Sequence, residues 1–553
     1  MIISDKNRLT QYHNTGEWGE RRLHDLFYET ANRFPERIAL VDPADKTDLT
    51  GDAPLRLTYQ ELADKINQLT EVFLINGLGK DDILLVQMPN VVELIYIYLA
   101  ASRLGIIVSP VPVQYQENEL TAIIDILKPA AIVATPKFKQ TSLLERMKSS
   151  IKLSSMHSCP PKILLWGAGE ADFDLTTAIE QSSASSRYSD YCEHNMIGAD
   201  DLMTICWTSG TEGTPKGVPR SHNQWLAVGK ATYLGNQIKD NETLLNPFPL
   251  INMASIGGMF LSWLYSGGKL VLHHPLNLPV FLQQIVTEKV NYTLAPPALL
   301  NALLKDEKLK NAIDFSGIRA IGSGSAPLDV WMVEGYKDLF GIEIVNHFGS
   351  NEGVSLLCGP NETSSAEKRA RLFPRDSELL ETRIVDLESG EQISEMNKPG
   401  ELQIKGAGVF DGYYKAPEKT AESFTADGFF KTGDLFQISS EDPQFYRFIG
   451  RCKDLIIRGG MNIAPAELDN LLSAHEFILD VAVAPYPCEI MGERIAAFVT
   501  LKPEKHLSLA DIIDYLKQQH VASFKLPEKL VLVAEIPRNP LGKVLRFKLS
   551  ELS

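Results

Sequence analysis

Short apolar runs rich in β-branched residues alternate along this chain with longer helix-like segments. The runs "DILLVQM" (82–88), "GIIVSPVPV" (105–113), "AAIVAT" (130–135), "KILLWG" (162–167) and "GKLVLHH" (268–274) read as strands. Strands spaced by helices predict α/β layers with mostly parallel sheets. The stretch from Asn90, "NVVELIYIYLAASRLGIIVSPVPV", carries Glu93 and Arg103. It reads as a buried helix followed by a strand rather than a membrane span. Asn90 with Glu93 three residues on resembles a capping box, and Gly105 suits a helix stop.

The texture changes further along. "EQSSASSRYSDYCEHN" (180–195) is polar and reads as an exposed connection, and the locally basic "SSAEKRARLFPRDS" (364–377) reads as a loop. From about 375 there are shorter strands with Gly turns, such as "ETRIVDLESGEQI" and "GELQIKGAG". After "FYRFIGRCKDLIIRGG" (445–460) comes a compact mix: strand, helix "APAELDNLLSA", strands "DVAVAPY" and "IAAFVTL", helix "LADIIDYLKQQH" and a tail. The predicted fold is α/β: a large N-terminal domain (1–450) of stacked α/β layers with a small β-rich part, then a small α+β C-terminal domain (451–553). No internal repeat is visible.

Composition narrows this only a little. At 553 residues the chain is too long for one core. A formal charge of −16, from 54 basic and 70 acidic residues, argues against nucleic acid as the main partner. The six cysteines (159, 192, 206, 358, 452 and 488) show no metal-ligand spacing and read as reduced apolar fillers. The polar start "MIISDKNRLTQYHNTGEW" does not read as a secretory leader, and no apolar run reaches ~18 residues. A cytoplasmic protein without a transmembrane segment is expected.

The chemistry is concentrated in "TSGTEGTPKGV" (208–218), directly after the apolar run "DLMTICW". Backbone N–H groups, hydroxyls and one lysine facing one point make a phosphate cradle. A bare hairpin turn rarely spends so many glycines and hydroxyls beside a lysine. The spacing is not a Walker loop, because Lys216 does not follow its glycine directly and no Ser/Thr follows it. There is no G-x-G-x-x-G and no G-x-S-x-G; "GSGSAP" at 322 does not fit the latter.

The loop resembles that of the adenylate-forming superfamily: acyl- and aryl-CoA synthetases, peptide-synthetase adenylation domains and luciferases. Further segments resemble that superfamily in order: "GSGSAPL" (322–328), "HFGSNEG" (347–353), "GELQIKGAGVFDGYYKAPEKTAESFTADGFFKTGDL" (400–435), "GRCKDLIIRGGMNIAPAELD" (450–469) and "PLGKVLR" (540–546). The resemblance implies ATP-dependent activation of a carboxylate to an acyl-adenylate, then transfer to a thiol.

It also implies roles. Thr208, Ser209, Gly210, Thr211, Gly213, Thr214 and Lys216 would bind phosphates, and Glu352 would hold Mg²⁺. Phe348 would stack on adenine, with Gly324, Ser325 and Ala326 lining its slot; Gly349, Ser350 and Asn351 would complete the nucleotide site. Asp434 would take the ribose hydroxyls, supported by Arg451. Lys543 would reach the carboxylate and α-phosphate. Lys453 would be the hinge on which a mobile C-terminal domain turns, bringing Gly459 and Gly460 to the thiol site. Asn252, Met253, Gly257, Gly258, Ser323 and His347 would line the acyl pocket.

The chain departs from the superfamily pattern at Asn351, where Thr or Ala is usual, at Asn252, where His or an aromatic is usual, and over 369–378, where a Gly-rich connection is usual. "LINMASIGG" has no acid to pair a substrate ammonium, so the acid expected is acyl or aryl rather than a free amino acid. The acceptor expected is CoA. The alternatives are the phosphopantetheine of a separate carrier protein, a degenerate nucleotide-binding protein, and an oxidative luciferase-like enzyme.

Overall fold

The computed structural model describes the chain except residues 168, 183–186, 209–214, 313, 376–378, 459–460, 489–491, 520, 522, 539–543, 551 and 553. For residues 309, 311, 312, 457, 461, 462, 492, 524, 547 and 550 only the backbone is described. The expectations for Ser209, Gly210, Thr211, Gly213, Thr214, Gly459, Gly460 and Lys543 lie outside the described residues.

All five apolar runs form strands, and the two sheets that contain them are mainly parallel. The first sheet runs, in spatial order, Ser355–Cys358, Glu343–Gly349, Ala320–Gly324, Tyr292–Leu294, Thr243–Asn246, Lys269–Leu272, Ile38–Val41 and Arg56–Thr58. Only its two edge pairings are antiparallel. The second runs Lys216–Ser221, Leu202–Thr208, Ile107–Pro110, Ile83–Gln87, Ala131–Ala134, Lys162–Leu165 and Phe173–Asp174. One buried core draws on both: Leu84, Val108 and Val133 from the second sheet, Leu244, Leu270 and Leu294 from the first. Helix Val92–Leu104 contributes nearly every residue to that core. A helix apolar on all sides must lie between layers.

The β-rich part is an antiparallel sheet of Leu372–Pro374, Phe445–Arg451, Phe430–Ile438, Gly400–Lys405 and Glu381–Val385. After one short turn, Cys452–Asp454, strand Ile456–Arg458 joins a different sheet with Met461–Ile463, Gly492–Leu501, Ile478–Cys488 and Lys529–Leu532. That sheet has a core of its own around Leu468, Val483, Ala497 and Ile512. No helix among the described residues is long and apolar enough to cross a membrane. None of the six cysteines is in a disulfide. Burial pushes the thiols of Cys206 and Cys358 up to about 12, as inert filler requires.

Four local expectations need correction. Asn90 and Glu93 form no capping box. The Asn90 amide bridges the backbone of another segment, donating to the Phe248 carbonyl (2.7 Å) and accepting from the Leu250 N–H (2.9 Å). Glu93 pairs with the buried Lys46 ammonium at 2.7 Å, and the Val92 N–H is taken by Asp42 at 2.8 Å. Tertiary partners outcompeted the local cap; the stop at Gly105, with φ of +68°, is as expected. Residues Arg187–His194 are a helix, although an exposed one with no buried residue. Residues 366–374 are helix Ala366–Arg371 and strand Leu372–Pro374. That segment is ordered by Arg369, which is buried and paired with Glu343. Finally, the strands flanking 209–214 do pair as a hairpin, from Leu202↔Ser221 to Thr208↔Lys216.

Gly268 supplies a test of the strand packing within the first sheet, where it lies against Glu242 just before the neighbouring strand. A Cβ there would sit 2.0 Å from the Glu242 carbonyl oxygen, and backbone cannot swing aside. Gly268→Ala is expected to destabilise the large domain by about 1–3 kcal/mol, read as a lower denaturant midpoint. An unchanged midpoint would refute the packing.

Candidate active site

Of the described residues singled out above, Thr208, Lys216, Gly324, His347, Phe348, Asp434 and Arg451 lie on strands of three sheets. Strand Leu202–Thr208 ends at Thr208, opposite Lys216 across the hairpin mouth. Lys216 Nζ stands over the Tyr413 ring, 5.0 Å from its centroid. The Tyr413 hydroxyl donates to Glu352 Oε1 at 3.0 Å. One tyrosine thus ties the loop lysine to the acid on the neighbouring turn. Burial and the Glu352 charge both push the Tyr413 phenol up, so it stays a donor.

The turn carrying Glu352 is held backbone to backbone. Gly353 has φ of +114°, and a Cβ on it would lie 2.4 Å from the Gly408 carbonyl oxygen. The Phe410 N–H donates to the Glu352 carbonyl at 2.9 Å. Arg220, fully buried, clamps the two segments together: one nitrogen donates to the Asn351 carbonyl at 2.8 Å, the other to the Gly408 carbonyl. Its guanidinium lies over the Trp225 ring at 4.6 Å. Burial lowers it to about 10, which leaves it charged at neutral pH.

A second clamp comes from the N-terminal helix Lys6–Thr15. Arg8 donates to the carbonyls of Gly406, Val409 and Phe410 and pairs with Asp411 at 3.1 Å. Asp411 also takes Ser4 (2.7 Å) and Gln224 (2.6 Å), and Trp18 Nε1 donates to the Ala407 carbonyl at 3.0 Å. The loop 406–413 is therefore pinned on both sides before it presents Tyr413.

Asn351 accounts for one departure from the superfamily pattern. Its Oδ1 accepts from the Met253 N–H at 2.8 Å and its Nδ2 donates to the Trp207 carbonyl at 3.3 Å. The side chain spans the hairpin and the start of the wide helical segment Met253–Phe260. Asn252 caps the same segment, accepting from the Ser255 N–H at 3.2 Å. An aromatic there would lose that cap. The buried Ser350 hydroxyl has no hydrogen-bond partner among the described residues.

Gly324 pairs with His347 across parallel strands, and a Cβ on it would lie 2.1 Å from the His347 carbonyl oxygen. Ser325 follows in the left-handed region (φ +70°), and it and Ala326 are exposed beside Gly324. Phe348 is partly buried, with ring centroids of Phe436, Phe448 and Phe373 at 5.0, 5.3 and 5.8 Å. Those rings link it to the strands that carry Asp434 and Arg451, which face each other in register with Nε to Oδ1 at 3.4 Å. Gly349 is exposed at its strand end. Burial and the Arg451 charge lower the Lys453 ammonium, which also lies within charge range of Asp434 and Lys216.

The expected acyl-pocket residues do not all share a face. A Cβ on Gly322 would meet Tyr292 and His347, so those groups lie on one side of the first sheet; Ser323, the next residue, points to the other. Alternation along the strand puts the Ser323 side chain on the face opposite His347. Gly257 is backed by Met253 and Val228, which a Cβ would meet at 2.9 Å, while Gly258 has only Leu294 at 3.8 Å and leaves room. Three site residues escaped the sequence reading. Tyr413 lay inside a quoted motif, whereas Arg220 and Arg8 carried no signal.

No cluster of three or more His, Cys, Asp or Glu among the described residues could cage a metal. Glu352 keeps an oxygen that Tyr413 does not take. One carboxylate together with phosphate oxygens is how Mg²⁺ is usually held, so the donor set fits that ion as a companion of a nucleotide.

Residues 27–414 match the family profile described as AMP-binding enzyme, and residues 467–543 match the AMP-binding enzyme C-terminal domain. The chain is 28% identical over 548 residues to the mitochondrial medium-chain acyl-CoA ligase of Macaca fascicularis, covering 94% of this chain and 85% of that protein. It is 27% identical over 523 residues to a probable CoA ligase of Humulus lupulus, covering 94% and 90%. Its fold resembles that of ATP-bound MatB from Rhodopseudomonas palustris, with a TM-score of 0.81, 24% identity and coverage of 96% and 99%.

Proposed function

The chain belongs to the AMP-binding enzyme family, and from that premise we propose that it is an AMP-forming carboxylate–CoA ligase. The observation that carries the site assignment is Tyr413, which joins Lys216 to Glu352. It makes the phosphate loop and the acidic turn one unit. The relatives named above as CoA ligases support CoA over a carrier-protein phosphopantetheine as the acceptor.

In the first step, a substrate carboxylate oxygen forms a bond to the α-phosphorus of ATP, and the bond to the β-phosphate oxygen breaks. Pyrophosphate leaves. A carboxylate is a poor nucleophile against a polyanion, so charge must be neutralised and the partners aligned. Thr208 and Lys216, with the loop 209–214, receive the phosphates. Mg²⁺, when bound with ATP, would neutralise phosphate charge, and Glu352 would hold it. Gly324, Ser325, Ala326 and Phe348 receive adenine; Asp434, oriented by Arg451, takes the ribose hydroxyls. Asn351 shapes the floor between hairpin and acyl pocket. Lys543 neutralises charge where carboxylate and α-phosphate meet. In the second step the small domain (451–553) turns at Lys453, Lys543 withdraws, and a thiol displaces AMP to give the thioester.

The acid is acyl or aryl and not a free α-amino acid, since residues 250–258 hold no acidic side chain. Pyrophosphate exchange over aryl, short-chain and long-chain acids tests the assignment, followed by AMP release with CoA against carrier protein. No exchange with any acid would sink it. Glu352→Gln is expected to lower exchange about tenfold and to raise the Mg²⁺ needed for half-maximal rate. An unchanged Mg²⁺ titration would remove Glu352 from the metal.

A further inference from the structure

The far end of the acid is the part of this reaction that the family leaves open. On the face of the first sheet that looks toward helix His222–Gly235, three polar side chains meet. His347 Nε2 lies 2.7 Å from Asn236 Oδ1 and 3.5 Å from the Tyr292 hydroxyl. Asn236 and Tyr292 are completely buried, whereas His347 keeps part of its surface. Gly322 lies beneath them: a Cβ there would come within 2.3 Å of the Tyr292 hydroxyl and 2.7 Å of His347 Nε2.

Chemistry decides the protons. Asn236 Nδ2 lies 2.9 Å from the Thr232 carbonyl, which can only accept. The amide is therefore oriented with Oδ1 toward His347, and Oδ1 can only accept as well. His347 Nε2 must carry the hydrogen. Asn236 cannot slide away, because its own carbonyl takes Arg319 at 2.9 Å and Arg319 is gripped by Glu242 at 2.7 and 2.8 Å. Burial lowers the His347 imidazole to about 4, so the ring is neutral at physiological pH. A neutral ring with its proton on Nε2 has a lone pair on Nδ1. That nitrogen has no partner among the described residues, and it is not one of the sealed, unpartnered atoms. It is an acceptor open to a ligand, on the sheet face that also carries the space beside Gly258.

We propose that the acid activated by this protein bears a hydrogen-bond donor, a hydroxyl or amino group, on its acyl or aryl body, and that His347 Nδ1 accepts from it while Asn236 fixes the tautomer. This rests on the ligase reading. A plain hydrocarbon acid would cover Nδ1 without pairing it, and burying an unpaired acceptor is costly. His347 is thus a specificity-determining residue, and Asn236 is a positioning residue that acts through it.

Matched acids test this: the hydroxy- and aminobenzoates against the methylbenzoates, position by position, and ω-hydroxyalkanoates against alkanoates. Each is measured by calorimetric binding to the full chain in the presence of a non-hydrolysable ATP analogue, and by pyrophosphate exchange. At least one donor-bearing acid should bind about tenfold or more tightly than its methyl partner. His347→Phe and His347→Gln should each reduce that ratio several-fold, and Asn236→Leu should reduce it through KM more than kcat. A wild-type preference for the methyl or unsubstituted partners throughout would overturn the proposal. So would a preference that survives both His347 variants with their melting temperatures intact. Binding preference without exchange would count against the ligase reading alone; exchange without preference would count against this inference alone.

Discussion

Replacing Lys543 by alanine is expected to lower pyrophosphate exchange by about 10²–10³-fold, the usual effect of deleting one donor aimed at developing charge. The expectation rests on "PLGKVLR", which resembles the superfamily segment that carries the adenylating lysine, and on the role proposed above for Lys543. Before attack, the acid and the α-phosphate repel each other, and a cation placed between them is worth most at the moment the new bond forms. The same variant should release AMP from a chemically prepared acyl-adenylate and CoA within a few-fold of the wild-type rate, because in the proposed second step the lysine is withdrawn. The two half-reactions separate a catalytic role from damage to the fold, which would depress both. Normal exchange in the variant would refute the assignment.

The second large effect is expected at Arg220. Substituting leucine keeps apolar volume beside Trp225 but strands the carbonyls of Asn351 and Gly408. Two buried, unpaired carbonyls cost about 1–3 kcal/mol each, while losing a cation that is itself expensive to bury offsets part of that. A loss of about 2–5 kcal/mol should appear as a lower denaturant midpoint. Exchange activity should fall as well, because the turn bearing Glu352 would separate from the loop bearing Tyr413. Arg220→Lys should fall between, since an ammonium lacks the fork that reaches both carbonyls. A leucine variant as stable as the wild type would show that the clamp contributes nothing.

The parallel layers were legible because buried strands in such sheets are short, continuous and apolar, as at 83–87 and 131–134. The motifs could be read because backbone approach restricts them to bare residues: Gly324 and Gly353 have no room for a Cβ. What could not be read depends on partners far away in sequence. Asn90 and Glu93 have the spacing of a cap but are drawn to residues 248–250 and 46. Arg220 sits amid "GVPRSH", where nothing local distinguishes a clamp from a solvated charge. The 366–374 segment looked like a basic loop because the acid that orders it, Glu343, lies on another strand. Ser323 and His347 were both expected in the acyl pocket, and the sequence alone does not say which face of its strand each takes.

The N-terminal clamp bears on biosynthesis. Arg8 finds its carbonyl partners about 400 residues downstream. At 5–20 residues per second, roughly 20–80 s separate the synthesis of residue 8 from that of residue 411. Over that interval helix Lys6–Thr15, which carries Tyr12, and Trp18 just beyond it lack Ala407, which completes the surface they pack against. This helix is made about 400 residues before the loop it clamps, so it docks late, and its docking completes the support behind Glu352. The nascent chain acquires the clamp on loop 406–413, and with it the fixed position of Tyr413 beside Glu352, only after the surrounding layers have been translated.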